Sequence, residues 1–228
     1  MTQVIGIASA RKHETYAKYI LGEDDLEIVR LSYELNNLQD LHRCDAVVLA
    51  GGEDVHPRFY GKPGFVEEFG LDDIDEQRDA FEWEILKLSQ QKRIPVYGIC
   101  RGLQIANAFF GGTLVPDVVR SGKPDHTRIS KTEDRFHTVQ VVAGTDLFAV
   151  TGPEGQINSA HHQAADVVAP GFRVCAVSPD GTIEAIERIH PEKYPFIQLV
   201  QWHPERMDIN SKFSGKLRER FLQSISRH

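Results

Sequence analysis

Gly98-Ile99-Cys100-Arg101-Gly102 has the spacing of a nucleophile elbow, Gly-x-Cys-x-Gly, at a point where an apolar strand runs straight into a helix. Residues 96–99 read as a buried strand and residues 103–110 as the helix that follows. A strand that turns at once into a helix crowds both sides of the turn, and glycines there keep side chains out of neighbouring strands. The residue between them is pushed into a strained backbone conformation with its side chain exposed at the strand's carboxyl end. Cys100 then stands at a helix amino terminus, where free N–H groups and the helix dipole favour the reactive thiolate. Two backbone N–H groups near such a turn can also receive a developing oxyanion. A structural cysteine buried at a tight strand–helix contact would show the same five residues, so the pattern needs a partner.

A nucleophile of this kind generally needs a base, and the base an orienting group. Among ten histidines, the best placed is His203, in Gln201-Trp202-His203-Pro204-Glu205 directly after the apolar run 196–200. Pro204 biases His203 toward extended geometry, and side chains two apart in extended chain point the same way. Glu205 can therefore reach back to the imidazole, hold its tautomer and stabilise the imidazolium, which is Cys-His-acid logic. A surface His-Pro-Glu turn is the alternative, and it loses ground beside an elbow.

Ser159-Ala160-His161-His162-Gln163 reads as a pocket wall for a polar substrate or as a solvated strand end. Adjacent histidines on a strand face opposite ways, so shared metal ligation is not expected without further ligands. Arg78, Asp79 and Glu82, one helical turn apart, read as a surface ion-pair cluster.

The elements that must position these groups follow from periodicity. Strands are expected at 4–8, 27–31 and 46–50, the last ending at Gly51-Gly52, with helices at 13–21 and 37–43, the second capped by the Asn36-Asn37 pair. Residues 57–75 read as loop and 76–91 as an amphipathic helix with Phe81, Ile85 and Leu88 on one face. Residues 121–134 read as a loop or lid. Short strands follow at 137–142, 156–159, 172–177, 182–186 and 196–202, with an Asp180-Gly181 hairpin turn and a closing helix at 212–225. Alternating strands and helices imply parallel strands between helical layers, with the site beyond the strands' carboxyl ends. The expected fold class is α/β, a flavodoxin-like three-layer sandwich with a mostly parallel central sheet and additional strands in the carboxyl-terminal half. Its 228 residues are expected to form one domain.

The charge is mildly acidic, 26 Lys+Arg against 33 Asp+Glu, with no long basic run, which argues against nucleic acid or an anionic membrane as partner. Three widely spaced cysteines, Cys44, Cys100 and Cys175, make neither a disulfide framework nor a zinc pattern. No signal peptide and no run of transmembrane length are apparent, so a reducing, cytoplasmic setting is expected.

Gly98-Ile-Cys100-Arg-Gly-Leu-Gln104 together with Gln201-Trp-His203-Pro-Glu205 resembles the class I glutamine amidotransferase superfamily. More narrowly, the chain is similar to the γ-glutamyl-γ-aminobutyrate hydrolase (peptidase C26) group. That match rests on Gly51-Gly52-Glu53-Asp54-Val55-His56-Pro57 through Tyr60-Gly61, Arg78-Asp79-Ala-Phe-Glu82 and Gly111-Gly112-Thr-Leu. Asn158-Ser159-Ala-His161-His162-Gln163 and Asp180-Gly-Thr-Ile-Glu184-Ala-Ile-Glu187 extend it. Arg101 favours the hydrolases over amidotransferase domains of biosynthetic synthases, which usually carry an aromatic or aliphatic residue there.

The resemblance implies Cys100 as nucleophile, His203 as general base and acid, and Glu205 as orienting carboxylate. It implies an oxyanion hole of the Gly52 and Arg101 N–H groups. Gly51, Gln104, Ser159, His161 and His162 would border the glutamyl pocket. The implied reaction is hydrolysis of a small γ-glutamyl amine through a thioester, with no metal and no organic cofactor. A glutaminase subunit feeding a partner synthase, or a non-catalytic binding protein on the same scaffold, is the alternative. Leu114-Val-Pro-Asp117 replaces a frequent Gln-Asp pair and the 121–134 connection is short; both border the leaving-group side and leave the amine open. Oligomeric state, a homodimer included, is also open.

Overall fold

The computed structural model describes residues 2–8 and 11–225. The amino-terminal half alternates as β1 (Gln3–Ala8), α1 (His13–Leu21), β2 (Leu26–Leu31), β3 (Ala46–Leu49), α2 (Phe65–Phe69), α3 (Glu76–Lys92), β4 (Val96–Ile99) and α4 (Arg101–Phe109). The second half is strand-rich: β5 (Leu114–Val115), β6 (Arg135–Val141), α5 (Asp146–Thr151), β7 (Glu154–Ser159), β8 (Ala164–Ala165), β9 (Phe172–Val177), β10 (Ile183–Arg188), β11 (Ile197–Val200) and α6 (Gly215–Ile225).

One sheet runs in the order β2-β1-β3-β4-β11-β10-β9-β6-β7, with the β5–β8 pair attached to β10. The five strands from β2 to β11 are parallel, and those from β11 to β7 pair antiparallel. The parallel half has the flavodoxin-like order, so the expected fold class holds, and the added strands extend the same sheet.

Every residue of β3, β4 and β11 is buried, which is why these strands read as mainly apolar runs, Gln198 being the polar exception. Alternate side chains feed two cores. Val48, Tyr97, Ile99 and Val200 pack with Tyr16 and Ile20 of α1 and Leu217 and Phe221 of α6. Val47, Leu49, Val96 and Leu199 pack with Ile85 and Leu86 of α3 and Leu103 and Ile105 of α4. These two covered faces make the three layers.

Two local expectations change. Residues 57–75 are not loop throughout: a 3₁₀ turn forms at Pro57–Tyr60, where His56 Nδ1 accepts from the Arg58 N–H, and α2 follows. Proline at the first position presets the turn, and Gly61, at φ +75°, stops it. Residues 38–43 wind as a 3₁₀ segment without an asparagine cap, because Asn37 Oδ1 is taken by the Ser32 N–H at 2.9 Å.

The elbow is packed backbone against backbone. A Cβ at Gly102 would lie 2.2 Å from the Leu49 carbonyl oxygen of β3, and one at Gly98 would lie 2.7 Å from the Gly102 carbonyl oxygen. Cys100 takes φ +54° and ψ −105°, strained for any residue with a Cβ. Its N–H donates to the Val200 carbonyl at 2.8 Å, so neighbouring strands hold the strain in place. The stability order at this position should therefore invert the usual one. Cys100→Gly is expected to exceed Cys100→Ala by about 1–2 kcal/mol in urea unfolding. Alanine equal to or above glycine would contradict a strained elbow.

Candidate active site

The carboxyl ends of β3, β4 and β11 bring Gly51-Gly52, Cys100 and the 201–205 segment together. Gly51 packs between the three: a Cβ there would lie 2.8 Å from His203 Cε1 and from the Tyr16 hydroxyl, and 3.5 Å from Cys100 Cβ. The Gly51 N–H is spent on the Tyr16 hydroxyl at 3.0 Å. Arg101 opens α4, so its N–H has no intrahelical acceptor. Gly52 has φ +155°, and a Cβ there would collide with Arg78 Nη1, so only glycine fits.

His203 is buried and its Nδ1 donates to Glu205 Oε1 at 2.8 Å, as the period-two spacing predicts. The Cys100 sulfur also acts on the imidazole charge. Burial alone would push His203 down. The Glu205 carboxylate and the Cys100 sulfur outweigh it and raise the imidazole to about 10. The ring is thus held as an imidazolium between a carboxylate and a sulfur. On the other side of the sulfur, Gln201 Nε2 approaches at 3.5 Å, and Gln201 Oε1 accepts from Gln104 Nε2 at 3.3 Å.

Three anchors fix the histidine segment. Asn158 clamps the His203 main chain from β7, accepting from its N–H at 2.9 Å and donating to its carbonyl at 3.0 Å. Trp202 Nε1 donates to the Phe213 carbonyl at 2.9 Å, and the Ser214 hydroxyl donates to the Pro204 carbonyl at 2.7 Å. Sequence reasoning assigned no role to Asn158, Gln201 or Tyr16. Gln201 was legible as the residue two before His203; Asn158 and Tyr16 depend on pairings only the fold supplies.

Arg78, Asp79 and Glu82 correct the surface reading: all three are buried, as is Arg101. Arg101 pairs with Asp79 and Glu82, and Arg78 pairs with Glu53 and, at 2.8 Å, with Glu82. The second Arg78 nitrogen, Nη2, donates to the carbonyls of Ala50 at 2.9 Å and Gly51 at 3.2 Å. Burial lowers Arg78, but Glu82 and Glu53 more than offset it and hold the guanidinium charged. Residues at i, i+1 and i+4 of α3 therefore brace the elbow from behind and cap the end of β3.

The expected pocket residues divide. Gly51 lies beside Cys100, whereas Gln104 is buried, meets Gln201 at 3.3 Å and donates to the Gln163 carbonyl at 3.0 Å. His162, 40% exposed, reaches Asp54 at 2.6 Å, and that hydrogen bond raises it against burial. Ser159 and His161 are buried and turn into a separate histidine cluster rather than an open pocket: the Ser159 hydroxyl donates to the His126 carbonyl at 2.8 Å.

Among the described residues, no helix is long and apolar enough to cross a membrane. The peptidase C26 family model matches residues 28–205. Gamma-glutamyl-gamma-aminobutyrate hydrolase PuuD of Escherichia coli K12 is 34% identical over 200 residues, covering 83% of this chain and 75% of that protein. Protein NtpR of Enterococcus hirae is 32% identical over 189 residues, covering 81% and 77%. A glutamine amidotransferase of Thermotoga maritima superposes with a TM-score of 0.65 over all of this chain and 85% of its own, at 15% identity, a likeness of fold. By its family model and by relatives of this similarity, the chain belongs to the peptidase C26 family.

Proposed function

We propose that the protein is a cysteine hydrolase that cleaves the γ-glutamyl amide bond of a γ-glutamyl amine. The observation that carries this reading is a strained, helix-capping Cys100 in contact with a His203 imidazole backed by Glu205. The name of the relative PuuD supports the substrate class, and Arg101, buried against α3, supports the hydrolase group.

Cys100 Sγ attacks the γ-carbonyl carbon, and the carbonyl oxygen, now an oxyanion, accepts from the Gly52 and Arg101 N–H groups. As the tetrahedral intermediate collapses, the His203 imidazolium protonates the departing amine nitrogen and the C–N bond breaks, leaving a γ-glutamyl-thioester. His203, now neutral, takes a proton from water as the water oxygen attacks the thioester. Collapse releases glutamate and restores the thiolate–imidazolium pair. Glu205 holds Nδ1–H throughout, so the other ring nitrogen does the proton transfers. His162, hydrogen-bonded to Asp54, would meet the polar end of the substrate.

Cys100→Ala should lose turnover of γ-glutamyl-γ-aminobutyrate to background with the fold intact by circular dichroism. Wild-type rates in that variant would end the assignment. A panel of γ-glutamyl amines, γ-glutamyl peptides and free glutamine separates this reading from a glutaminase, which would prefer glutamine and accelerate with a partner synthase.

Glu205→Gln tests the imidazolium. The group is raised in the folded protein, so activity that needs the charged ring is present below its pKa and lost as pH climbs through it. Removing the carboxylate charge should shift the alkaline limb of kcat/KM to lower pH and cut kcat by about a hundred- to ten-thousand-fold. An unmoved limb would contradict the proposed role.

A further inference from the structure

Behind the candidate active site, three histidines from three segments converge on one carboxylate. Glu184 of β10 is fully buried, and His126 Nδ1, His137 Nε2 and His161 Nε2 lie 3.5, 3.4 and 3.8 Å from its Oε1. His126 comes from the connector after β5, His137 from β6, and His161 follows β7. The side chains of His126 and His161 are 5% and 1% exposed, and that of His137 is 17% exposed.

The outward ring nitrogens decide what the inward ones can do. His137 Nδ1 lies 2.9 Å from the Thr138 carbonyl, and His161 Nδ1 lies 2.9 Å from the Gln163 carbonyl. A carbonyl only accepts, so both Nδ1 atoms carry the hydrogen and both Nε2 atoms present bare lone pairs. His126 Nε2 meets Asp180 Oδ2 at 3.1 Å, an acceptor already served by the Thr182 hydroxyl at 3.0 Å, so His126 Nδ1 is the bare nitrogen there. The Ser159 hydroxyl, 3.3 Å from that nitrogen, gives its hydrogen to the His126 carbonyl at 2.8 Å.

Three bare imidazole nitrogens therefore face one carboxyl group at 3.4 to 3.8 Å, beyond hydrogen-bonding distance for most of them. Among the described residues, neither Glu184 oxygen, nor His137 Nε2, nor His161 Nε2 has a hydrogen-bond partner. An unpaired buried acceptor loses its hydration without a replacement bond, and the cluster collects several. A cation at its centre satisfies all of them at once. Tetrahedral ligands about 2.0–2.1 Å from zinc stand about 3.3 Å apart, close to the 3.4, 3.5 and 3.8 Å that separate the three nitrogens from Glu184 Oε1. Each outer nitrogen tied to a carboxylate or carbonyl is the arrangement that orients metal-binding imidazoles.

We propose that this cluster is a binding site for a divalent transition ion of the zinc class, with His126, His137 and Glu184 as ligands and His161 as a fourth within reach. The three ligand atoms of the first set lie within 4.8 Å of one another. Imidazole nitrogens with one carboxylate suit zinc or cobalt rather than the all-oxygen preference of calcium or magnesium. The mouth is a surface cleft bordered by Pro124, Asp125, Arg135 and the exposed edge of His137. The ion would fasten the 121–134 connector to β6 and β10. It would also stiffen the end of β7, where Asn158, next to Ser159, holds the His203 main chain. Adjacent His161 and His162 do face different ways, as the sequence implied; the further ligands come from elsewhere in the fold.

Thiolate at Cys100 is a competing metal ligand, so the test uses the full-length Cys100→Ala chain. After removal of metal by chelator, it is titrated with Zn(II) by calorimetry and with Co(II) by visible absorption. One Zn(II) per chain is expected, with a higher melting temperature and the intense d–d bands of a four- or five-coordinate cobalt lacking thiolate charge transfer. His137→Gln, at the partly exposed ligand, should weaken Zn(II) about a hundredfold or more with an unchanged circular dichroism spectrum. If Cys100→Ala takes up no stoichiometric Zn(II), the site does not exist. Uptake unaffected by His137→Gln and by His126→Gln would place the ion elsewhere and equally overturn the proposal. The cobalt spectrum keeps the test decisive should either variant fold poorly, since six-coordinate or sulfur-bound bands contradict this ligand set.

Discussion

The α4 helix begins against the Leu49 carbonyl with only a hydrogen on the Gly102 Cα between them, and that contact dictates the geometry around it. A helix started that close to a parallel strand leaves no relaxed conformation for the residue at the bend. Cys100 is held at φ +54° because Gly98, Gly102 and the Val200 carbonyl allow no alternative. The strain projects the sulfur over the ends of β3 and β11, where the Gly51-Gly52 turn and His203 meet it. Position is thus bought by backbone packing, and the side chains that follow only refine it.

Charge is placed with the same logic. Two buried guanidiniums, Arg78 and Arg101, face three buried carboxylates, Glu53, Asp79 and Glu82, and Arg11 adds an exposed cation at 2.7 Å from Glu53. A buried ion network gains little net stability over apolar packing because desolvation offsets much of the attraction. What it supplies here is direction: Arg78 fixes the Ala50 and Gly51 carbonyls, and Arg101 fixes the first turn of α4. The elbow is therefore braced by α3 behind it and by the parallel strands beside it.

The centre of the parallel half was readable because β3, β4 and β11 are buried on both faces and appear as short, mainly apolar runs, β3 ending at Gly51-Gly52. His203 and Glu205 were readable because extended chain has a period of two. The burial of Arg78, Asp79 and Glu82 was not, since a helix with charges one turn apart normally shows them to water. Only the arrival of a second arginine from α4, 19 positions from Glu82 and 22 from Asp79 in sequence and adjacent in space, makes that face an interior one. The His126, His137, His161 and Glu184 convergence was hidden for the same reason. No local spacing links them, and the antiparallel extension β10-β9-β6-β7 brings them together.

Acid-quenching the wild-type enzyme during turnover of γ-glutamyl-γ-aminobutyrate, followed by peptide mass spectrometry, tests the central claim most directly. The peptide carrying Cys100 is predicted to gain one γ-glutamyl acyl group in place of the thiol hydrogen, and to lose it again as substrate is exhausted. The same acyl group on a different peptide, or steady amine release with the Cys100 peptide unmodified at every quench time, would contradict the account.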